Sequence, residues 1–450
     1  MDVSQFTRIT GRRALALAIA VAFASGDATS ASFPKPHGVL RTIVENCDDS
    51  GPGSLRDAYF HAVDGEELDL TQLTCSRITL TTGALTDIAP NVGVFGPGSG
   101  AFTIDGNYAN RVFVHNGNGA LQLEGLTITH GNYSGDYGGG CIYSYGDVYL
   151  RDVTVTACSL RATSGSTYGG GIQVRHDATL IASTVSHSRI LGHGDTFRGG
   201  GIASGHQFVA VYSTISDNTL ICTDARYCLG GGLFTHGRTE LDFSTVSGNV
   251  ADYGGGIYHR PDTNDDPLLI MQSTISGNHA NHGAGGVFAT HTTLISDSTI
   301  TANSSVLPAG GISFPLTRPT TMYGTIVANN TTESGAGADI AGSKPLVIGG
   351  SHNLVMDATV ALPNDTLTDD PLLGPLQLNG GPTATHALPR GSPAIDRGIN
   401  HAQFGEFLYD QRGAGYPRTI GADTDIGAFE ASDTLFANGF DVQARRRARP

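Results

Sequence analysis

"YGGGIYHRPDTNDDPLLIMQSTISGN", residues 253–278, opens on a glycine triplet and closes on Ser-Thr-Ile-Ser-Gly-Asn, and both ends recur along the chain. The last glycine of each cluster falls at Gly140, Gly171, Gly201, Gly232, Gly256, Gly286 and Gly311, at spacings of 24 to 31 residues. An apolar residue follows each one: Cys141, Ile172, Ile202, Leu233, Ile257, Val287 and Ile312. A second marker runs from Thr154-Val155 through Thr184-Val185, Thr214-Ile215, Thr245-Val246, Thr274-Ile275 and Thr299-Ile300 to Thr325-Ile326. A period in this range marks a repeat array.

The segments between the markers are short, β-branched and alternating, and Gly, Asn and Ser bound them, so each reads as a strand of about four to six residues. About 28 residues per repeat suits one turn of a parallel β-solenoid with three short strands and three turns. The fold class is therefore all-β, a right-handed parallel β-helix. Four residues after successive marker threonines stand Asn218, Asn249, Asn278, Asn303 and Asn329, with Cys158 and Ser188 at that place in the two preceding repeats. Asparagines stacked in a buried turn satisfy backbone groups and bond one another along the column. The glycine triplets read as tight corners that need positive φ. Both ends of the quoted stretch are structural on this reading, and its middle is where function has room.

Composition agrees with an array. Glycine accounts for 62 of the 450 residues and only 15% of positions are charged, which leaves little for charged helix faces. The net charge of −15 and the two lysines, Lys35 and Lys344, argue against a nucleic-acid partner and disfavour polyanionic sugars. Arg445, Arg446, Arg447 and Arg449 form a basic stretch at the C-terminal tail. Arg8, Arg12 and Arg13 precede ALALAIAVAFA and then small residues, the layout of a secretory signal peptide cut between Ala24 and Ala31. That apolar run is too short to span a membrane, and no later run approaches the length needed.

Export makes the six cysteines readable as disulfides, and proximity suggests Cys47 with Cys75, Cys141 with Cys158, and Cys222 with Cys228. A solenoid end needs a cap. Residues 54–63, SLRDAYFHAV, offer a short amphipathic helix with Ser54 as N-cap and Leu55, Ala58, Ala62 and Val63 on one side.

The stretch NCDDSGPGSLRDA (46–58) resembles the N-terminal element of bacterial exported right-handed β-helix proteins. The GGGI/STISGN repeats are similar to polymorphic-outer-membrane-protein-like arrays. DPLLGPLQLNGGPTATHALPRGSPAIDRG (370–398) and DQRGAGYPRTIGADTDIGAFE (410–430) are similar to the choice-of-anchor Q region. Together these cover roughly 42–430. The resemblance implies a pectate-lyase-like β-helix, exported and extracellular or held at the outer surface of a Gram-negative bacterium. Against an autotransporter, the last 20 residues are too few for a membrane barrel. DTLFANGFD (433–441) resembles a short C-terminal motif of exported proteins.

Chemistry on this fold needs cations and a base for uronate cleavage, or paired carboxylates for glycoside hydrolysis. Asp265-Asp266 and Asp369-Asp370 sit in loops, and Gly192-His193-Gly194-Asp195 only faintly resembles a polygalacturonase histidine motif. A second pattern follows the glycine corner: His176, His206 and His291 at plus five, His236 at plus four and His259 at plus three. Arg175, Arg238 and Arg260 lie beside three of them, and Tyr145 takes the place one coil earlier. Near-equal offsets in a solenoid become neighbours about 5 Å apart, so these residues are expected to form a ridge able to hold a sugar or an acidic ligand. The plainer alternative is an exposed polar turn. The paired Thr214/Ser216, Thr245/Ser247, Thr274/Ser276 and Thr299/Thr301 give a second outward column, like the hydroxyl faces of ice-binding solenoids. Asp262, Asn264 and Asp266 alternate oxygens as a calcium loop does, but Pro267 follows and the loop's glycine and distal glutamate are absent.

The chain thus divides into a signal peptide (1–30), an N-terminal cap and first coils (31–100), repeats (101–345), C-terminal coils of the anchor-Q type (346–430) and a tail (431–450). The first functional reading is a monomeric, non-catalytic binding or adhesion module that meets glycans or a cell-surface partner through the ridge, with no cofactor unless calcium. The second is a polysaccharide lyase or glycoside hydrolase. An enzyme needs convergent groups in one or two coils, whereas an adhesive ridge spreads over many.

Overall fold

A computed structural model describes residues 40–222, 226–263, 266–333, 335, 337–399 and 407–432. The signal-peptide segment, Asn264 of the candidate calcium loop and the tail beyond residue 432 lie outside the described residues.

Short strands of one repeat pair in parallel with the same strands of the next, and the result is a right-handed parallel β-helix of about 11 turns. Three sheets form its walls. Among the described residues sheet 1 has ten strands, from Leu85–Asp87 to Ile340–Gly342, sheet 2 has 21 and sheet 3 has 11. The apolar residue after each glycine corner points inward in strict register, Ile142 on Ile172, Ile202, Leu233, Ile257, Val287, Ile312 and Ile340. This column is part of one continuous core. The coils from Ile142 to Ile312 carry four or five strands where three were expected: the coil of Ile172 has Ile172–Val174, Ala178–Ile181, Thr184–Ser186, Arg189–Gly192 and Thr196–Arg198. Sheet 2 takes two of them because the chain bends between them at a left-handed residue, Ala182 here and Tyr212, Phe243 and Gln272 in the next coils.

Two side-chain ladders satisfy the interior. Asn249 Oδ1 accepts from both the backbone and the side-chain nitrogen of Asn218, at 3.0 Å each, and the pattern repeats through Asn278 and Asn303. The next rung is Asn330, which accepts from Asn303 N and Nδ2; Asn329 is exposed instead. The reason is a one-residue slip, because Thr299 pairs with Ile326 rather than with Thr325. A second ladder is built by Ser183, Ser213, Ser244, Ser273 and Ser298, each Oγ accepting the backbone N–H of the preceding coil. The first coil also slips. Ile142 pairs with Ile172, so Cys141 occupies the place of the third glycine.

The cap is a seven-residue helix α1 (Leu55–His61), whose N-cap Ser54 accepts from Asp57 N at 3.2 Å. Leu55 and Tyr59 are the side chains it buries, and Tyr59 meets Phe113 edge-on at 5.4 Å; Val63, expected on that face, is 52% exposed. The cysteines pair as proximity suggested, Cys47–Cys75, Cys141–Cys158 and Cys222–Cys228.

The C-terminal region does not continue to coil. Strands Gly349–Ser351 and Leu354–Val355 still extend sheet 2, and Leu354 bridges to Leu367. From Pro371 the chain turns back and lies along the outer face of sheet 2 as a clasp. Thr245 Oγ1 donates to Ala384 O (2.7 Å), Thr274 Oγ1 to Gln411 Oε1 (2.6 Å), and Ser276 Oγ meets His386 Nε2 (2.8 Å). Thr299 Oγ1 accepts from Ala428 N, and the wholly buried Arg418 reaches Asp297 and Glu430 at 2.9 and 3.1 Å. The expected open hydroxyl array is thereby overturned, since Thr245, Thr274, Ser276, Thr299 and Thr301 are all buried.

Candidate functional site

Sheet 1 leaves one outward residue per strand, giving the column Tyr143, Gln173, Ala203, Phe234, Tyr258, Phe288 in successive coils. Its aromatic part stacks along the axis: Tyr258 lies 4.7 Å from Phe288 at 5° and 5.7 Å from Phe234 at 16°. A constant plus-two offset from Gly232, Gly256 and Gly286 carries this signal in the sequence, one to three positions before the histidines of the expected ridge.

Beside this column the turn into sheet 2 carries a second one. Backbone bonds place Tyr145, Arg175, Gly205, His236 and Arg260 in one file, and His176 with His206 in the next. The Arg175 guanidinium lies 5.2 Å from the Tyr145 ring centre, and the His176 and His206 rings stack at 5.3 Å and 10°. The other wall comes from sheet 3, where Tyr168, Arg198, Leu229 and Tyr253 align. Arg198 donates to Tyr168 Oη at 2.7 Å and lies over the rings of Tyr168 and Phe234.

The coil that contains Gly199–Gly205 gives Ala203 and Gly205 where its neighbours give Gln173 and Phe234, Arg175 and His236. Where those side chains are missing a pocket of about 350 Å³ opens, lined by Tyr137, Ser166, Tyr168, Gln173, Arg175 and His236 among others. Gln173 Oε1 in its lining is buried with no hydrogen-bond partner, and so is Nε of the adjoining Arg198. Asp136 also lines it but is committed to structure. Ser164 and Thr163 donate to its carboxylate and hold it down to about 2.

The structure breaks up the ridge expected from sequence. Tyr145, Arg175, His176, His206, His236 and Arg260 stand on the turn. His259 does not, and this is a correction: at plus three it ends a sheet 1 strand, pairs with Thr235 and Ala289, and points inward with no exposure. Burial, with His291 beside it, holds its imidazole down to about 3. Neither ring nitrogen makes a hydrogen bond of good geometry, the backbone of Gly237 being the polar group beside it. Arg238 is drawn off by Glu240 at 2.7 Å, and His291 bonds Thr290 Oγ1 at 2.8 Å. Burial pushes His236 below its usual value despite Asp262, whose carboxylate lies 3.3 Å from Nδ1 but off the line of a good hydrogen bond.

In the candidate calcium loop, Asp262 faces His236 and Asp266 accepts from Thr263 Oγ1 at 2.6 Å. Among the described residues one trio of such donor atoms converges, Cys222, Cys228 and Asp252, and its sulfurs are joined. Asp87, His115 and Ser144 share an inward column in three coils, with His115 Nδ1 3.0 Å from Asp87 Oδ1, the order of an acid, base and hydroxyl relay. All three are buried inside the barrel, so no substrate reaches them.

No family model matches the chain, and no curated protein does. Among solved structures, a crystal structure of pectate lyase Pel9A matches with 14% identity over 88% of this chain and 98% of that chain, at a TM-score of 0.42.

Proposed function

We propose that this β-helix is an exported, surface-associated binding protein that holds a glycan segment in the sheet 1 pocket without transforming it. The observation that carries the reading is the pocket itself: a coil with Ala203 and Gly205 between larger neighbours, which opens a space of about 350 Å³ walled by Tyr137, Tyr168, Gln173, Arg175 and His236. Tyr137 and Tyr145, 67% and 45% exposed, supply rings for the apolar faces of sugars. Arg175 and Arg198 favour a carboxylated or otherwise acidic unit, despite the chain's overall negative charge. A catalytic reading is second, and His236 beside Asp262 favours it, as an imidazole kept neutral by burial is in the form of a base.

The test is binding of the purified chain to neutral and uronic-acid oligosaccharides on an array, beside Ala203→Phe, which fills the pocket. Binding lost in that variant supports the reading. Failure of the native chain to bind any glycan, or binding untouched by Ala203→Phe, overturns it. Slow cleavage of the bound sugar, abolished by His236→Ala, would move the protein to the second reading.

A further inference from the structure

On sheet 3, three metal-ligating side chains from adjacent coils converge, Cys222, Cys228 and Asp252, and a fourth, His282, stands beside Asp252. Cys222 follows the strand Thr219–Leu220, Cys228 lies in Tyr227–Leu229, Asp252 in Val250–Tyr253 and His282 in His279–Gly283. Parallel pairing of Leu229 with Tyr253 and of Tyr253 with Gly283 sets them side by side. Both sulfurs and a carboxylate oxygen of Asp252 lie within 4.8 Å of one another, and His282 Nδ1 is 3.7 Å from Asp252 Oδ1. Two further contacts hold the donors in place. Asn281 Nδ2 donates to Asp252 Oδ1 at 3.0 Å, and the His282 ring stacks on Tyr253 at 5.5 Å and 22°.

We propose that reducing the Cys222–Cys228 disulfide opens a four-donor site, two thiolates with Asp252 and His282, for a divalent ion of the zinc class. Such ions take sulfur and nitrogen donors in a tetrahedron, with bonds of about 2.3 Å to sulfur and about 2.0 Å to nitrogen or oxygen. A tetrahedron of that size needs roughly 3.3 Å between nitrogen and oxygen and roughly 3.7 Å between the two sulfurs. His282 and Asp252 are already near the first distance. The sulfurs must part, and Cys222, half-buried and beyond the end of the strand Thr219–Leu220, is the less constrained of the two, since Cys228 is buried within a strand.

The step balances with a dithiol as reductant. Its two thiols give two electrons and two protons, close to a cyclic disulfide, and leave Cys222 and Cys228 as thiols; the metal then displaces both thiol protons to solvent. Access singles out this bridge through Cys222 alone, which is half-buried, whereas Cys228 and both residues of Cys141–Cys158 are wholly buried. Among the described residues, Cys47–Cys75 has no converging carboxylate or imidazole. An oxidising compartment keeps the site closed, so an occupied site reports reduction. The proposal does not depend on the glycan reading.

Cobalt(II) tests it on the full-length chain. The protein is reduced with excess dithiothreitol, desalted without oxygen and titrated. One equivalent should bind with a thiolate-to-cobalt band in the near ultraviolet and tetrahedral bands in the visible, and the oxidised chain should show neither. His282→Ala and Asp252→Asn should each weaken binding by about tenfold or more, and Cys222→Ser with Cys228→Ser should abolish it. No thiolate band in the reduced chain overturns the proposal. So does a band that survives the paired serine variant, which would assign the metal to other cysteines, or an affinity unchanged in His282→Ala. That last variant alters a half-exposed side chain and decides the matter if the serine variant does not fold.

Discussion

Asn329 and Asn330 are adjacent, chemically identical and expected to behave in opposite ways. Asn330 Oδ1 accepts from Asn303 N and Nδ2 at 3.0 and 2.9 Å, and its Nδ2 donates to Ile300 O, Ala328 O and Asp339 Oδ1. Asn330→Ala strands the buried N–H of Asn303 and the carbonyl of Ile300. Two buried groups without partners cost about 1–3 kcal/mol each, so the variant should lose about 2–6 kcal/mol. Asn329 is exposed at φ 58°, and its Nδ2 donates to Asp370 Oδ1 at 3.3 Å. Because alanine is strained at that φ, glycine is the fair substitution, and Asn329→Gly should stay within about 0.5 kcal/mol of the native chain. Far-UV circular dichroism in denaturant gives the midpoints, and hydrogen exchange at the Asn303 amide gives the local effect. That amide should exchange about 30-fold faster or more in Asn330→Ala, from the lower end of the same range. A variant at 329 as damaging as the one at 330, or a harmless Asn330→Ala, would refute the ladder's register.

Three further substitutions have signed outcomes. His259 is held down to about 3, below its unfolded value, so stability present at neutral pH falls as pH drops below about 6.5; His259→Leu should remove about 2 kcal/mol of the loss between pH 7.5 and 5, read from melting at both. An acid shift of unchanged size would sink this. Arg418→Met leaves Asp297 and Glu430 buried without their cation and should cost about 3–5 kcal/mol, with the clasp cut first in limited proteolysis; equal protease resistance would count against the clasp. Thr274→Val strands an acceptor of Gln411 and should cost about 1–3 kcal/mol, against near zero for Thr263→Val in an exposed loop.

The β-helix, its three disulfides and most of the asparagine column were legible because each is a local or periodic signal. The errors have physical causes. Counting from the repeated glycines and threonines misplaced a residue wherever another side chain could fill a rung: Cys141 for a glycine, and Thr325, packed where serine stands in other coils. His259, at plus three, is still inside its sheet 1 strand and on the inward face with Ile257, whereas plus four and plus five lie beyond the strand on the turn. The stacked Tyr258 and Phe288 kept a constant offset and were findable. The clasp was not. Thr274 and Gln411 are 137 residues apart in sequence, and nothing periodic in 371–432 indicates which wall it covers.

That clasp also bears on where function can sit. In a solenoid each coil touches only its neighbours, so one coil can shrink two outward side chains without disturbing the rest. Ala203 and Gly205 do this on sheet 1, where solvent has access. The same change on the clasped rows of sheet 2, at Thr245 or Thr274, would open a buried gap under Gln411 and offer nothing to a ligand. Covering one face therefore confines variation with functional consequences to the faces left open. The pocket lies on such a face, between the aromatic column and the turn, where small residues create space and the flanking Arg175, Tyr168 and His236 give that space its chemistry.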